Sequence, residues 1–252
     1  MDHAPLFRAV LAPSGRLEKP RDYGLTIALD VGLGPREAAD LVETSGAHVD
    51  YVKIAWGSSL ITGNLDTKLD IYRKGNVAPL LGGTLFEYAY LHDKLEELLA
   101  LVTATKMHIE VSDGSIDIPT DAKLKWIERF AAVTEVWSEI GGKIALHVKD
   151  WGQVLRQELE AGARMIVVEG RQVGPVGQPI REAFVDELIG LAGGHKRLIW
   201  EALERPQQLF FIKKLGPNVN LANIKTADVL TLESFRRGLK EHTLALRHRP
   251  AE

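Results

Sequence analysis

Charged side chains stand at the ends of short apolar runs throughout this chain. Asp30 closes Gly24-Leu-Thr-Ile-Ala-Leu-Asp30, Glu169 closes Arg164-Met-Ile-Val-Val-Glu169, and Glu201 closes Arg197-Leu-Ile-Trp-Glu201. Met107-His-Ile-Glu-Val-Ser-Asp-Gly114 brings Glu110 and Asp113 to its exit, and Glu139 lies near the end of Glu135-Val-Trp-Ser-Glu-Ile140. Lys53 sits inside Val49-Asp-Tyr-Val-Lys-Ile-Ala55, where a lysine must snorkel out or point into a polar cavity. Lys143, Arg171, Asn220 and Asn223 occupy comparable positions, and Gly82-Gly83-Thr84 opens a helix with backbone N–H groups in an anion-friendly arrangement. Any one of these acids is equally suited to cap a helix or pair with a cation. Gathered together they would repel one another unless cations neutralised them. Oxygen ligands without cysteine or histidine clusters fit Mg2+ rather than zinc. The mixture of acids with lysine and arginine suits an anionic substrate chelated through a metal.

The elements that must position these groups repeat as apolar strand, polar exit and helix. Eight such units recur at spacings of about 20 to 30 residues, the pattern of a single (β/α)8 TIM barrel of the α/β class. A doubly wound open sheet is the runner-up, but its G-x-G-x-x-G fingerprint is absent. The expected organisation is an N-terminal arm over 1–20, the barrel over 21–246 and a tail over 247–252. Within it, one helix is expected from Leu85 to Ala100, an eighth strand over Asn218 to Ala222, and a last helix from about Leu230 to Leu246. His108 belongs at a strand start and His147 in a linker, and neither is a catalytic candidate.

The chain has 252 residues with ordinary hydrophobic and charged content, enough for a core without staples. With no cysteine, disulfides, thiolate metal sites and cysteine nucleophiles are excluded; a reducing cytoplasm is the expected location. A net charge of −3 provides no bulk attraction to nucleic acid or to an anionic membrane surface. No apolar run is long enough to span a bilayer, and no P-loop or H-E-x-x-H motif is present. The oligomeric state is left open, a homo-oligomer included.

From about Arg21 to Thr243 the sequence resembles the phosphosulfolactate synthases of coenzyme M biosynthesis. The resemblance rests on Asp50-Tyr-Val-Lys53, Trp56-Gly57-Ser58-Ser59, Gly82-Gly-Thr-Leu-Phe-Glu-Tyr-Ala-Tyr90, Glu110-Val-Ser-Asp-Gly-Ser115, Glu169-Gly-Arg171, Val219-Asn-Leu-Ala-Asn-Ile224 and Arg236-Arg-Gly-Leu239. It implies a (β/α)8 barrel and Mg2+-dependent addition of sulfite to phosphoenolpyruvate, giving (2R)-3-phosphosulfolactate. On this basis Lys53, Lys143 and Glu110 are the catalytic candidates. Glu139, Glu169 and Glu201 are the metal-ligand candidates. Arg171, Gly82, Gly83, Asn220, Asn223 and Asp30 are the substrate-binding candidates, with Arg171 at the phosphate.

Four stretches depart from the family's usual pattern. Asp-Lys-Gly-Leu becomes Asp30-Val31-Gly32-Leu33, and Glu-Val-Gly-Lys-Lys becomes Glu139-Ile-Gly-Gly142-Lys143. Gly-Arg-Glu-Ser-Gly becomes Gly170-Arg171-Gln172-Val173-Gly174, and a terminal Asp-Thr becomes His242-Thr243. Losing cations beside a multiply charged substrate is not conservative. Alternatives are therefore a related barrel acting on a different anionic acid, or a non-catalytic, stress-related member of the family. The strand-exit pattern itself predicts that Asp30, Lys53, Glu110, Glu139, Glu169 and Glu201 lie at one end of one barrel.

Overall fold

Successive side chains of a strand face opposite sides of the sheet, and the eight apolar runs fill both sides. In the computed structural model, which describes residues 3–146, 149–175 and 177–244, they form eight parallel strands. These are β1 (Thr26–Asp30), β2 (Tyr51–Ile54), β3 (Ala78–Leu81), β4 (His108–Ser112), β5 (Val136–Ile140), β6 (Met165–Val168), β7 (Leu198–Glu201) and β8 (Asn220–Lys225). They pair in sequence order, and β8 closes on β1. One strand phase, including Ala28, Val52, Ile109, Val111, Ile166 and Trp200, packs beneath the helices. The other phase fills the barrel interior with Ile27, Leu80, Trp137, Met165, Val167, Ile199 and Ala222.

The outer layer begins after an arm helix, α1 (Ala4–Ala9), and comprises α2 (Pro35–Ser45), α3 (Leu65–Lys74), α4 (Gly83–Leu91), α5 (Leu95–Thr105), α6 (Thr120–Ala131), α7 (Trp151–Glu160), α8 (Gly170–Val173), α9 (Glu182–Leu191), α10 (Arg205–Leu215) and α11 (Val229–Arg236). The helix expected over Leu85 to Ala100 is two helices. Asp93 takes a left-handed φ of 54° between them, and the Lys94 N–H bonds Ala89 O at 2.8 Å, closing α4 before α5 starts. The last helix stops at Arg236 rather than Leu246, because Gly238 turns the chain at φ 68°. The expected tail over 247–252, the end of the expected barrel at 245–246, and His147 lie outside the described residues. His108 does start β4, edge-on to Tyr51.

The lower, N-terminal end of the barrel is held by polar ties. Arg16 of the arm is buried, bonds Gly24 O at 2.7 Å and pairs with Glu233 at 3.2 Å. Lys19 donates to Gly46, Val49 and Asn76 carbonyls. Asn220 belongs to this end, which corrects its expected place at the rim. β8 starts two residues later than expected, at Asn220, whose side chain accepts from Leu25 N at 3.0 Å and donates to Lys196 O and Leu198 O at 2.9 Å. It ties the starts of β1, β7 and β8 together and lies away from the candidate site.

Asp30 is at the expected end of β1 but faces the wrong way for a substrate ligand. It shares the phase of Ala28, so its carboxylate points outward beneath α2 and α3. There it accepts from Gly32 N and Leu33 N, and from Tyr72 Oη at 2.8 Å, and pairs with the buried Lys68 Nζ at 2.9 Å. Removing one partner of such a buried pair leaves an uncompensated charge. Asp30→Ala should therefore lower unfolding free energy by about 3–5 kcal/mol in urea titration. A variant of unchanged stability would mean that Lys68 has found another partner.

Candidate active site

The upper ends of the strands enclose a cleft of about 540 Å3. Lys53, Glu110, Glu139, Glu169 and Glu201 all line it, each in the inward phase of its strand, alongside Lys143 and Arg171 from the exits of β5 and β6. Lys53 is buried at 4% exposure and bridges Glu110 Oε2 at 3.0 Å and Glu201 Oε1 at 2.9 Å. One oxygen each from Glu110, Glu139 and Glu201 lies within 4.8 Å of the others, an arrangement that could hold a metal ion. The structure thus groups Glu110, rather than Glu169, with Glu139 and Glu201.

Glu169 has a different local task. It is the N-cap of α8, with Oε2 accepting from Arg171 N at 2.6 Å and Gln172 N at 3.1 Å. Gly82 and Gly83 border the cleft, but their N–H groups are already engaged, by Ile54 O at 3.2 Å and Glu110 Oε1 at 2.9 Å. The anion at the start of α4 is therefore Glu110 itself. Gly83 matters for closeness: a Cβ there would meet Ser112 Cβ at 2.6 Å and Glu110 Oε1 at 3.0 Å. Asn223 does reach the cleft, with its buried Oδ1 lacking a hydrogen bond among the described residues. A register shift opposite Thr26 and Ala28 and a left-handed φ of 58° turn it inward, as bulges commonly do beside active sites.

Asp113 has the outward phase of Val111 and leaves the cleft. It pairs with Lys123 at 3.0 Å and Lys149 at 2.7 Å. Sequence reasoning gave neither Ser112 nor Glu87 a place in the site. Both meet Lys143: Nζ donates to Ser112 Oγ at 2.8 Å and Glu87 Oε1 at 3.3 Å, and lies 3.2 Å from Glu139 Oε1. The signal available for Ser112 was its two-residue offset from Glu110. The departures from the family pattern sit elsewhere. Val31, Gly142, Gln172 and Val173 are not part of the cleft lining; Val173 is buried in the outer core, and Gln172 Oε1 accepts from Gly142 N.

Among the described residues, five carboxylates line the cleft, with Glu204 the fifth, against three cationic side chains. Burial raises Glu139 well above the usual glutamate range, and the charges of Glu110 and Glu201 add to it against the pull of Lys143 and Lys53. Burial would also raise Glu110, but Lys53 and hydrogen bonds outweigh it and hold that carboxyl below the usual range. Both lysines remain firmly protonated, because the carboxylates overcome burial.

Burial and Glu201 push Glu169 up to about 7 against its backbone donors. An acid with a raised folded pKa holds its proton longer in the native state. Its contribution to stability is full below the ordinary glutamate pKa of 4.5 and fades as pH rises through about 7. Carbon-13 NMR of glutamate carboxyls in the metal-free protein should show a titration near pH 7 that Glu169→Gln removes. Stability should decline less for that variant than for the parent over the same window, and identical pH profiles would contradict the assignment.

Comparison with known proteins agrees with this geometry. The profile of the (2R)-phospho-3-sulfolactate synthase family matches residues 14–242. The phosphosulfolactate synthase of Methanothermobacter thermautotrophicus is 40% identical, over 91% of this chain and 94% of its own length. Those of Methanocaldococcus jannaschii and Bacillus subtilis are 36% and 33% identical, covering 87% and 92% of this chain and 93% and 96% of their own. Among solved structures, 3-hexulose-6-phosphate synthase from Salmonella typhimurium superposes with a TM-score of 0.58 at 16% identity, over 89% of this chain and all of that one, and so shares the fold alone. With the family profile spanning nearly the whole barrel and the charged cleft at its upper end, the chain belongs to the (2R)-phospho-3-sulfolactate synthase family.

Proposed function

We propose that this protein is a Mg2+-dependent lyase, acting in the synthase direction, that adds sulfite to phosphoenolpyruvate to form (2R)-3-phosphosulfolactate. The observation that carries this reading is the set of three buried carboxylates, Glu110, Glu139 and Glu201, flanked by Lys53 and Lys143 in a family member's cleft.

The donor set fits a hard divalent cation. All three ligands are carboxylates, and among the described residues Glu139 Oε1 is buried without a hydrogen bond and acids outnumber cations around a cleft meant for anions. Bound there by Glu110, Glu139 and Glu201, Mg2+ would supply the positive charge that an enediolate needs. Glu169, whose Oε2 accepts from the first N–H groups of α8, flanks this set rather than completing it.

In the addition, the sulfite sulfur bonds the methylene carbon of phosphoenolpyruvate. The double-bond electrons move toward the carboxylate as an enediolate, and a proton then joins the adjacent carbon. Lys143 is the proton donor, because its ammonium is nearer solvent than Lys53, which is enclosed between Glu110 and Glu201. Lys53 keeps those two carboxylates in place. Arg171 and the Asn223 amide hold the phosphate, the guanidinium offering a paired donor fork that lysine lacks.

The test is an assay with phosphoenolpyruvate, sulfite and Mg2+, with the product identified by mass spectrometry. Product should form, disappear with excess EDTA and return with Mg2+; full activity in EDTA would remove the metal from the mechanism. Arg171→Ala should lower kcat/KM by about 2–4 kcal/mol of transition-state stabilisation, and a variant with unchanged kcat/KM would place the phosphate elsewhere. Because Glu139 holds its proton well above the usual range, Mg2+ uptake should release protons. Calorimetry in buffers of different ionisation enthalpy should detect that release, and Glu139→Gln should abolish it.

A further inference from the structure

We propose that Glu87 is a positioning residue of the reaction: acting directly and through Ser112, it sets the direction of the Lys143 ammonium at the carboxylate cluster. The proposal rests on the role of Lys143 given above and extends it to a side chain on α4 that does not line the cleft.

Glu87 is buried at 2% exposure in a helix segment that is otherwise largely apolar. Its Oε1 accepts from Ser112 Oγ at 2.7 Å, Ser115 N at 3.1 Å and Lys143 Nζ at 3.3 Å, whereas its buried Oε2 has no hydrogen-bond partner among the described residues. A hydroxyl and a backbone N–H would be satisfied by a neutral amide oxygen. Among the contacts of Glu87, only Lys143 calls for a charge. A buried carboxylate with one unsatisfied oxygen is costly, so tying α4 to the exit of β4 is insufficient reason for it.

The hydroxyl geometry supplies the mechanism. Ser112 Oγ has a single proton and gives it to Glu87, which leaves its lone pairs to accept from Lys143 at 2.8 Å and Gly114 N at 3.2 Å. Glu87 therefore decides which way the hydroxyl faces. The Lys143 backbone is fixed as well, by its N–H to Gly114 O at 2.9 Å and by Arg171, whose guanidinium donates to Lys143 O. Two of the three ammonium protons go to Ser112 and Glu87. The third has no hydrogen-bond acceptor among the described residues, although the ammonium pairs electrostatically with Glu139 Oε1 3.2 Å away. That proton is the one available to a substrate carbon.

The test uses Glu87→Gln, which keeps the size and a neutral acceptor, with Ser112→Ala as a second variant should the first fail to fold. Acylation of Lys143 by an amine reagent, read by peptide mass spectrometry, should rise several-fold in either variant; an unchanged rate overturns the proposal. With phosphoenolpyruvate and sulfite, kcat should fall about tenfold or more while KM stays within about twofold. In a Lys143→Ala background, Glu87→Gln should cause no further loss, whereas an equal loss there would make Glu87 a structural residue only. A parent that forms no phosphosulfolactate defeats the proposed reaction, and the acylation measurement still decides the positioning role.

Discussion

Three carboxylates cannot share a dry volume unless positive charge holds them, and Lys53 is the cation that does so in this barrel. It bridges Glu110 and Glu201 from the inner face of β2, and Lys143 answers Glu139 from the exit of β5. The attraction gains strength because water is excluded, and the same exclusion makes any unpaired member expensive. Much of the upper barrel follows from this constraint. Gly83 must lack a side chain so that α4 can start against Glu110, and burial beside Glu110 and Glu201 raises the Glu139 carboxyl well above the usual range.

Buried charge pairs on the two sides of the sheet obey the same physics with opposite consequences. Asp30 with Lys68, and Asp113 with Lys123 and Lys149, lie on the outer side of the sheet and join helices or loops to strands. The pairs inside the barrel border an open cleft of about 540 Å3 instead, so their geometry is available to a ligand. The difference is one residue of strand phase.

The departures from the family pattern also separate by position. Gln172 joins α8 to the exit of β5, and Val173 packs in the outer core. Their effect falls on how the loops after β5 and β6 are braced. The cations lining the cleft are Lys53, Lys143 and Arg171; Lys53 and Arg171 lie in motifs that carry the family resemblance, and Lys143 directly follows the departure at Gly142.

Strand number and order were legible in the sequence, because eight apolar runs with polar exits have few other ways to bury both faces. Much of the inward set was legible too: Glu139, Glu169 and Glu201 stand two residues from the inward Trp137, Val167 and Ile199, Glu110 alternates with the outward Ile109 and Val111, and the period of two carries them all to the same side. The same count applied to Asp30 and Asp113 places them outside. Other features depended on tertiary structure. Asn220 shares the inward phase but sits at the wrong height, which only the start of β8 against β1 and β7 decides. Asn223 enters the cleft through a bulge that no periodicity announces. The N–H groups of Gly82 and Gly83 look free along the chain and are taken by Ile54 and Glu110 across it. Local pattern determines which side a residue faces, while height, register and partner come from strands and helices far apart in sequence.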